Sequence, residues 1–309
     1  MKHFIKIQDI SKIDLRKIIK DAKKRKKNRK NLNTLIADKD TPLKGKLLIQ
    51  MFEKSSLRTR ISFYLAIRQL GGSALTLRPD ELHLNKGGES ISDTSKILST
   101  YGDAFLLRTN NDSKLELFKK NSSVPIINGL SPNSHPAQIL SDIFTIEELK
   151  KKSISKLKIC WIGDINNVLN SLAEASIKLS FPLNIACPKN YNFNKNLSNW
   201  INGHKNKIKR FYDPIKAIKE VDVILTDKII SMNDNVNKKK KIKSFKKFKI
   251  NKSLIKHAKK DVIVLHCLPR GDEISEEVFN SEKSKVWQQA LNRVTVQKSI
   301  LMYCFDKLR

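Results

Sequence analysis

Short apolar runs rich in Ile, Val and Leu recur along the chain, with helical stretches between them. KLLIQMF (46–52), ALTL (74–77), DAFLLRT (103–109) and VPIING (124–129) lie in the first half. KICWIGD (158–164), NIACP (184–188), VDVILTD (221–227) and DVIVLHC (261–267) lie in the second. Continuous apolar runs of this length suit parallel strands covered on both faces. Their alternation with helices restricts the chain to an α/β architecture with right-handed crossovers. At 309 residues the chain exceeds what one core commonly supports, so two open parallel-sheet domains are expected. The boundary is placed after the helix-like HPAQILSDIFTIEEL, giving a first domain over 1–149 and a second over 150–286. VWQQALNRVTVQKSILMYCF (286–305) reads as one long amphipathic helix.

The formal net charge is +31, and two readings compete for it. One is nucleic-acid binding. The other is a lysine-biased surface, because the runs KKRKKNRK (23–30) and NKKKKIKSFKKFK (237–249) carry few aromatics at stacking intervals and match no nucleic-acid module. The second is preferred, with no nucleic-acid partner expected; some of the excess would help attract anionic substrates. No apolar run reaches membrane-spanning length, so no membrane partner is expected. MKHFIKIQDISKIDL lacks a secretory apolar region and carries Asp9 and Asp14, so a cytoplasmic location is the expectation. Cys160, Cys187, Cys267 and Cys304 form no CxxC pair. They read as reduced thiols, with no metal site and no cofactor.

Ligands of open α/β sheets bind beyond the carboxyl ends of the strands. The polar clusters of this chain fall there. Ser55, Ser56, Arg58, Thr59 and Arg60 follow the first run. Arg108 and Thr109 end the third, and His135 and Gln138 follow the fourth. Asp164, Asn166 and Asn167 follow the fifth, and Asp227, Ser231 and Met232 the seventh. His266 and Cys267 end the eighth. In FEKSSLRTR (52–60) a helix start, with unpaired N–H groups and partial positive charge, meets two arginines and three hydroxyls. A phosphate there would gain all of them, with Ser56 capping the helix. An ordinary cap with surface arginines is the alternative. WIGDINNVLNS (161–171) lacks the further glycines of a dinucleotide turn, which disfavours a nicotinamide enzyme. Its Asn166–Asn167 pair offers either ligand amides or a simple Asx turn. HPAQ puts His135 and Gln138 on one helix side, and HCLPRGDE (266–273) puts a thiol at a strand end.

Together these segments resemble the aspartate/ornithine carbamoyltransferase family, and within it most closely the branch that acts on ornithine. The resemblance spans nearly the whole chain, through KHFIKIQDIS, FEKSSLRTR, KGGESISDT (86–94), FLLRT, HPAQILSD, WIGDINNVLNS, TDKIISM (226–232), HCLPRGDEI and QALNRVTVQKSIL (289–301). It implies two α/β domains joined by helices, an active site in the cleft between them, and a final helix (287–309) packing back on the first domain. Residues 1–149 would bind carbamoyl phosphate and 150–286 L-ornithine. Ser56, Leu57, Arg58, Thr59, Arg108, His135, Gln138 and Arg293 would bind carbamoyl phosphate. Asn167, Asp227, Ser231, Met232, Cys267 and Leu268 would bind ornithine. Arg108, His135 and Cys267 would serve catalysis, with Cys267 positioning substrate rather than attacking it. The family forms homotrimers in which a neighbour's loop near residues 80–90, here carrying His83 and Lys86, completes each site.

Some positions depart from the family pattern. Leu57 stands where Thr is common, Ala137 where Cys is frequent, and Asn233 where Gly usually follows Ser-Met. HCLP runs into RGDE with a residue or two fewer than in many relatives, which leaves the role of Arg270 open. The implied reaction is attack of the ornithine δ-amine on carbamoyl phosphate, giving citrulline and phosphate. Transfer to aspartate, N-acetylornithine or putrescine is the alternative. Aspartate is disfavoured because that branch usually carries HPGP at the HCLP position and because Asp227 would repel a dicarboxylate.

Overall fold

The computed structural model describes residues 1–78, 88–205, 207–230 and 237–308. The chain divides into two compact units, Met1–Phe144 with Leu291–Arg309, and Thr145–Ala290. In chain order, the first nine elements are α1 (Lys12–Asn28), β1 (Leu47–Phe52), α2 (Leu57–Gln69), β2 (Ser73–Leu77), α3 (Ile91–Tyr101), β3 (Ala104–Arg108), α4 (Asp112–Asn121), β4 (Ile126–Leu130) and α5 (Pro136–Lys150). There follow β5 (Ile159–Ile162), α6 (Asn167–Leu179), β6 (Leu183–Ala186), α7 (Lys195–Asn202), β7 (Ile208–Phe211), α8 (Pro214–Ile218) and β8 (Val223–Asp227). The last five are α9 (Lys238–Phe245), α10 (Lys252–Ile255), β9 (Ile263–Cys267), α11 (Glu276–Phe279) and α12 (Val286–Cys304). Among the described residues no helix is long and apolar enough to cross a membrane.

Each unit holds one parallel sheet. The first has the order β2-β1-β3-β4 and the second β7-β6-β5-β8-β9. The central strands are apolar on both faces because both faces are covered. On β1 and β3, Ile49, Met51, Phe105 and Leu107 pack with Leu98, Leu115 and Phe118, which come from α3 and α4. Leu48 and Leu106 point the other way and are equally buried. In the second unit Cys160, Ile162, Ala186, Ile224 and Val264 share a core with Phe245, Phe248 and Val278. Burying each such side chain stabilises the fold by ~1.5–3 kcal/mol before entropy is charged against it.

The eight expected strands form, with two differences. β2 is an edge strand whose residues are exposed or half-buried, so its apolar look reflects β-propensity more than two-sided cover. β7 was not anticipated. Its IKRF pattern is short, half-charged and at the sheet edge, where alternate residues meet water and no apolar run is required.

Helix starts are closed by side chains almost throughout. Ser11, Ser90, Asn111, Asn166, Asn194, Asp213, Asn237, Asn251 and Ser275 each accept a backbone N–H of the helix they precede. Each such cap is worth ~1 kcal/mol. α2 is different: Ser56 stands at its cap position without making a side-chain cap bond.

Candidate active site

Both sheets reverse their strand order beside their central strand, the first between β1 and β3 and the second between β5 and β8. The carboxyl ends of strands at such a reversal open a crevice where ligands bind. In the first unit β1 runs out into Glu53 and the α2 start, while β3 ends on Arg108. Glu53 ties the two ends together. Its N–H donates to the Arg108 carbonyl at 3.0 Å. Its carboxylate accepts from the Thr109 hydroxyl at 2.6 Å and from Lys114. Burial pushes the Glu53 carboxyl up, but the Lys114 and Thr109 bonds outweigh it and hold it below the usual range.

Ser56 does not cap α2 as expected. Its hydroxyl instead accepts from Arg108 Nη1 at 3.1 Å. The first N–H groups of α2 therefore have no side-chain oxygen from the cap residue, and helix-start N–H groups of this kind are anion donors. Leu57, the first residue of α2, is largely exposed; its backbone, not its side chain, is what it brings to the site. Thr59 is buried and accepts from Arg293 Nη2 at 2.8 Å. Arg293, from α12, also donates through Nη1 to Gln138 Oε1. Gln138 in turn donates to Asp142 at 2.8 Å, so its amide orientation is set. His135 is buried, and burial together with the Arg293, Arg108 and Arg58 guanidiniums pushes its pKa well below the ordinary value. It is a neutral imidazole at working pH. Ser56, Arg58, Thr59, Arg108, His135, Gln138 and Arg293 are thus gathered around one cationic helix start.

The second unit builds a different chemistry. After β5 the chain turns at Gly163, whose φ of +144° disfavours a side chain and whose missing Cβ would lie 3.3 Å from Thr226 Oγ1. Buried Trp161 donates from Nε1 to the Asp164 carbonyl at 3.0 Å. Asn166 then caps α6, accepting from the Val168 and Leu169 amides. Its Nδ2 donates to Asp227 Oδ2 at 2.8 Å. The two readings of the Asn166–Asn167 pair merge: Asn166 is a cap, and its free end holds a carboxylate. Asn167 is the first residue of α6.

Asp227, at the end of β8, lies in register with Cys267 at the end of β9. Burial is the largest influence on the Asp227 carboxyl and pushes it up to about 6, against the pull of His266, the Lys228 amide and Asn166. It remains ionised near neutral pH, held ready for a cation. His266 Nε2 meets Glu273 Oε1 at 2.7 Å. Burial raises the Glu273 carboxyl, but the His266 and Gly271 hydrogen bonds prevail and hold it low. Cys267 is half-buried, and Leu268 packs on the core beneath it. The residue set Asp227, Asn166, Asn167 and Cys267 suits an amino-acid ammonium and an apolar methylene chain. Ser231, Met232, Asn233, His83 and Lys86 lie outside the described residues.

Sequence reasoning passed over Glu53, Asp142 and Glu273. Each acts on a neighbour rather than on a ligand. The available signal was spacing: Glu273 lies seven residues after His266, and Asp142 one helical turn after Gln138. The run 237–249 is not a solvated face throughout: Lys241 within it is buried on Asp164 at 2.6 Å.

Comparison with known proteins follows the same division. Residues 2–148 match the family model for the carbamoyl-P binding domain of aspartate/ornithine carbamoyltransferases, and residues 155–304 match the Asp/Orn binding domain. The chain is 40% identical to the ornithine carbamoyltransferase of Ruthia magnifica, over 99% of its own length and 100% of the relative's. It is 39% identical to that of Caulobacter vibrioides, over 99% and 98%. Among solved structures, the ornithine carbamoyltransferase from Pyrococcus furiosus superposes with a TM-score of 0.90 at 38% identity, covering 97% of this chain and 96% of that one. The anabolic ornithine carbamoyltransferase from Campylobacter jejuni superposes with a TM-score of 0.89 at 36% identity, covering 99% and 100%. The chain belongs to the aspartate/ornithine carbamoyltransferase family.

Proposed function

We infer that the chain transfers the carbamoyl group of carbamoyl phosphate to the δ-amine of L-ornithine, giving L-citrulline and phosphate. The observation that carries this reading is the uncapped start of α2, set among Arg58, Arg108 and Arg293. A helix start is normally closed by its own side chain; leaving it open beside three guanidiniums suits a multiply charged anion. The carboxylate of Asp227 in the other unit supplies the opposite preference, for an ammonium group.

The residues divide the work. Ser56, Leu57, Arg58 and Thr59 hold the phosphate, with Arg293 closing from α12. Arg108 and neutral His135 stabilise negative charge growing on the carbonyl oxygen; one such donor is typically worth ~3–4 kcal/mol. Gln138 orients the carbamoyl amide. Asp227 binds the α-ammonium group, Asn167 the α-carboxylate, and Ser231 and Met232 the rest of the amino acid. Cys267 and Leu268 direct the side chain so that the δ-nitrogen faces the carbamoyl carbon. The nitrogen must arrive uncharged, and a free alkyl amine titrates near ~10.4, so desolvation on binding lowers its cost. The N–C bond forms, the C–O bond to phosphate breaks, and the departing phosphate takes the amine proton. No metal or cofactor enters.

On this reading residues 1–149, with the last helix, form the carbamoyl-phosphate domain and 150–286 the ornithine domain. The working form is a cytoplasmic homotrimer with a biosynthetic role in arginine metabolism. Aspartate fits poorly, because Asp227 and Glu273 oppose a second carboxylate. The test is product formation by the purified chain with ornithine, N-acetylornithine, putrescine and aspartate side by side. Ornithine should exceed each other acceptor by at least ~100-fold in kcat/KM; a preference for any other acceptor overturns the reading.

A further inference from the structure

Four consecutive lysines, 238–241, open α9. Lys238, Lys239 and Lys240 are exposed, as a charge run predicts. Lys241 is only 5% exposed, and its Nζ reaches Asp164 Oδ2 at 2.6 Å. Asp164 is itself 7% exposed. Burying two charges is costly unless both are well met, so a single buried pair inside a solvated run calls for an account.

Asp164 is the hinge of the turn that carries the acceptor-binding amides. Its Oδ1 accepts from the Ile165 amide at 2.8 Å, and its carbonyl accepts from Trp161 at 3.0 Å. Two residues on, Asn166 caps α6 and donates to Asp227. Lys241 therefore takes up the second carboxylate oxygen of a residue whose first oxygen shapes the path of the chain into Asn166 and Asn167. α9 itself is anchored from the same face: Phe245, one turn after Lys241, is buried against Tyr191 and Phe248. A rigid helix thus delivers the ammonium to the turn.

We propose that Lys241 is a positioning residue for the acceptor amino acid. Its buried ion pair with Asp164 fixes the 164–167 turn so that Asn167 and the Asn166–Asp227 pair stand in binding geometry. This rests on the ornithine reading of that site. Lys241 touches no substrate. It acts on affinity for the acceptor through the turn, and an ångström-scale loss of alignment is worth ~10–100-fold.

The test is steady-state kinetics on Lys241→Met, Lys241→Arg and the double variant Asp164→Asn/Lys241→Met, with thermal unfolding recorded for each. In Lys241→Met the KM for ornithine should rise ~10–100-fold, while the KM for carbamoyl phosphate stays within about twofold. Lys241→Arg should recover at least half of the loss on a logarithmic scale. The double variant carries no uncompensated buried charge, so it remains folded even where the single one does not; it should keep the raised ornithine KM. An unchanged ornithine KM in whichever of the two methionine variants folds overturns the proposal. So does an equal rise in both KM values, which a purely structural tie would give. A parent chain that makes no citrulline from ornithine would instead overturn the underlying reading of function.

Discussion

Asp227→Asn isolates the charge proposed to bind the acceptor's ammonium group. The carboxylate has been brought to about 6 by burial, despite hydrogen bonds from Asn166 and the Lys228 amide. With that value roughly nine-tenths of the parent is ionised at pH 7 and about one-tenth at pH 5. Only the ionised form attracts the α-ammonium group. Between pH 6 and pH 5 the parent's kcat/KM for ornithine should therefore fall ~50-fold: ~10-fold from protonation of the amine and ~5-fold from Asp227, whose ionised share drops from about one-half to about one-tenth. The asparagine variant loses a charge-assisted bond worth ~1.5–3 kcal/mol, so at pH 7.5 its kcat/KM should be lower by ~10–150-fold. Below pH 6 it should show only the amine's tenfold decline per pH unit. The same carboxyl has a linked effect on the substrate-free protein. A folded pKa above the unfolded value gives a stability contribution that is present below pH ~3.8 and lost as pH rises through about 6. Its ceiling is ~3 kcal/mol, reduced because the residue is only partly buried. The assay is citrulline formation at saturating carbamoyl phosphate from pH 5 to 8. Parallel profiles for parent and variant, or a carbamoyl-phosphate KM that tracks the ornithine KM, would refute the reasoning.

Three further substitutions test separate parts of the first unit. Arg58→Ala should raise the KM for carbamoyl phosphate at least ~10-fold and leave that for ornithine within twofold, a contrast read in one kinetic series. Arg293→Met leaves the buried Thr59 hydroxyl and Gln138 amide without their guanidinium; it should cost ~2–4 kcal/mol in thermal stability and abolish protection by carbamoyl phosphate. Asp38 accepts from Arg25, Arg29 and buried Lys298, so Asp38→Asn should destabilise the first unit by ~3–5 kcal/mol, seen as an earlier unfolding transition in calorimetry.

The fold was readable because parallel strands covered on both faces must be apolar throughout. Ile159–Ile162, Val223–Asp227 and Ile263–Cys267 stand out for that reason. Ile208–Phe211 did not, since an edge strand with Lys209 and Arg210 needs no continuous apolar run. The side chains proposed to face ligand were readable from position, as strand-end polar residues in an apolar chain. Their supports were not. Glu53 and Lys241 look like ordinary surface charges in sequence, and only the crossing of elements distant in the chain shows that each meets a buried partner, whereas Glu273 stands seven residues after its partner His266. Ser56 illustrates the same limit: a cap residue and a hydroxyl turned toward a guanidinium carry one signature, and the bond from Arg108, 52 positions away, shows that Ser56 is the second.

The reaction makes a new bond between the carbamoyl carbon and the δ-nitrogen of ornithine. Carbamoyl phosphate labelled with 13C and ornithine labelled with 15N at the δ-position, turned over by the purified chain, test it in one NMR spectrum. Carbamoyl transfer to the δ-nitrogen gives citrulline whose ureido carbon is split by a directly bonded 15N. A product carbon without that splitting, or release of phosphate with no carbon–nitrogen bond formed, would contradict it.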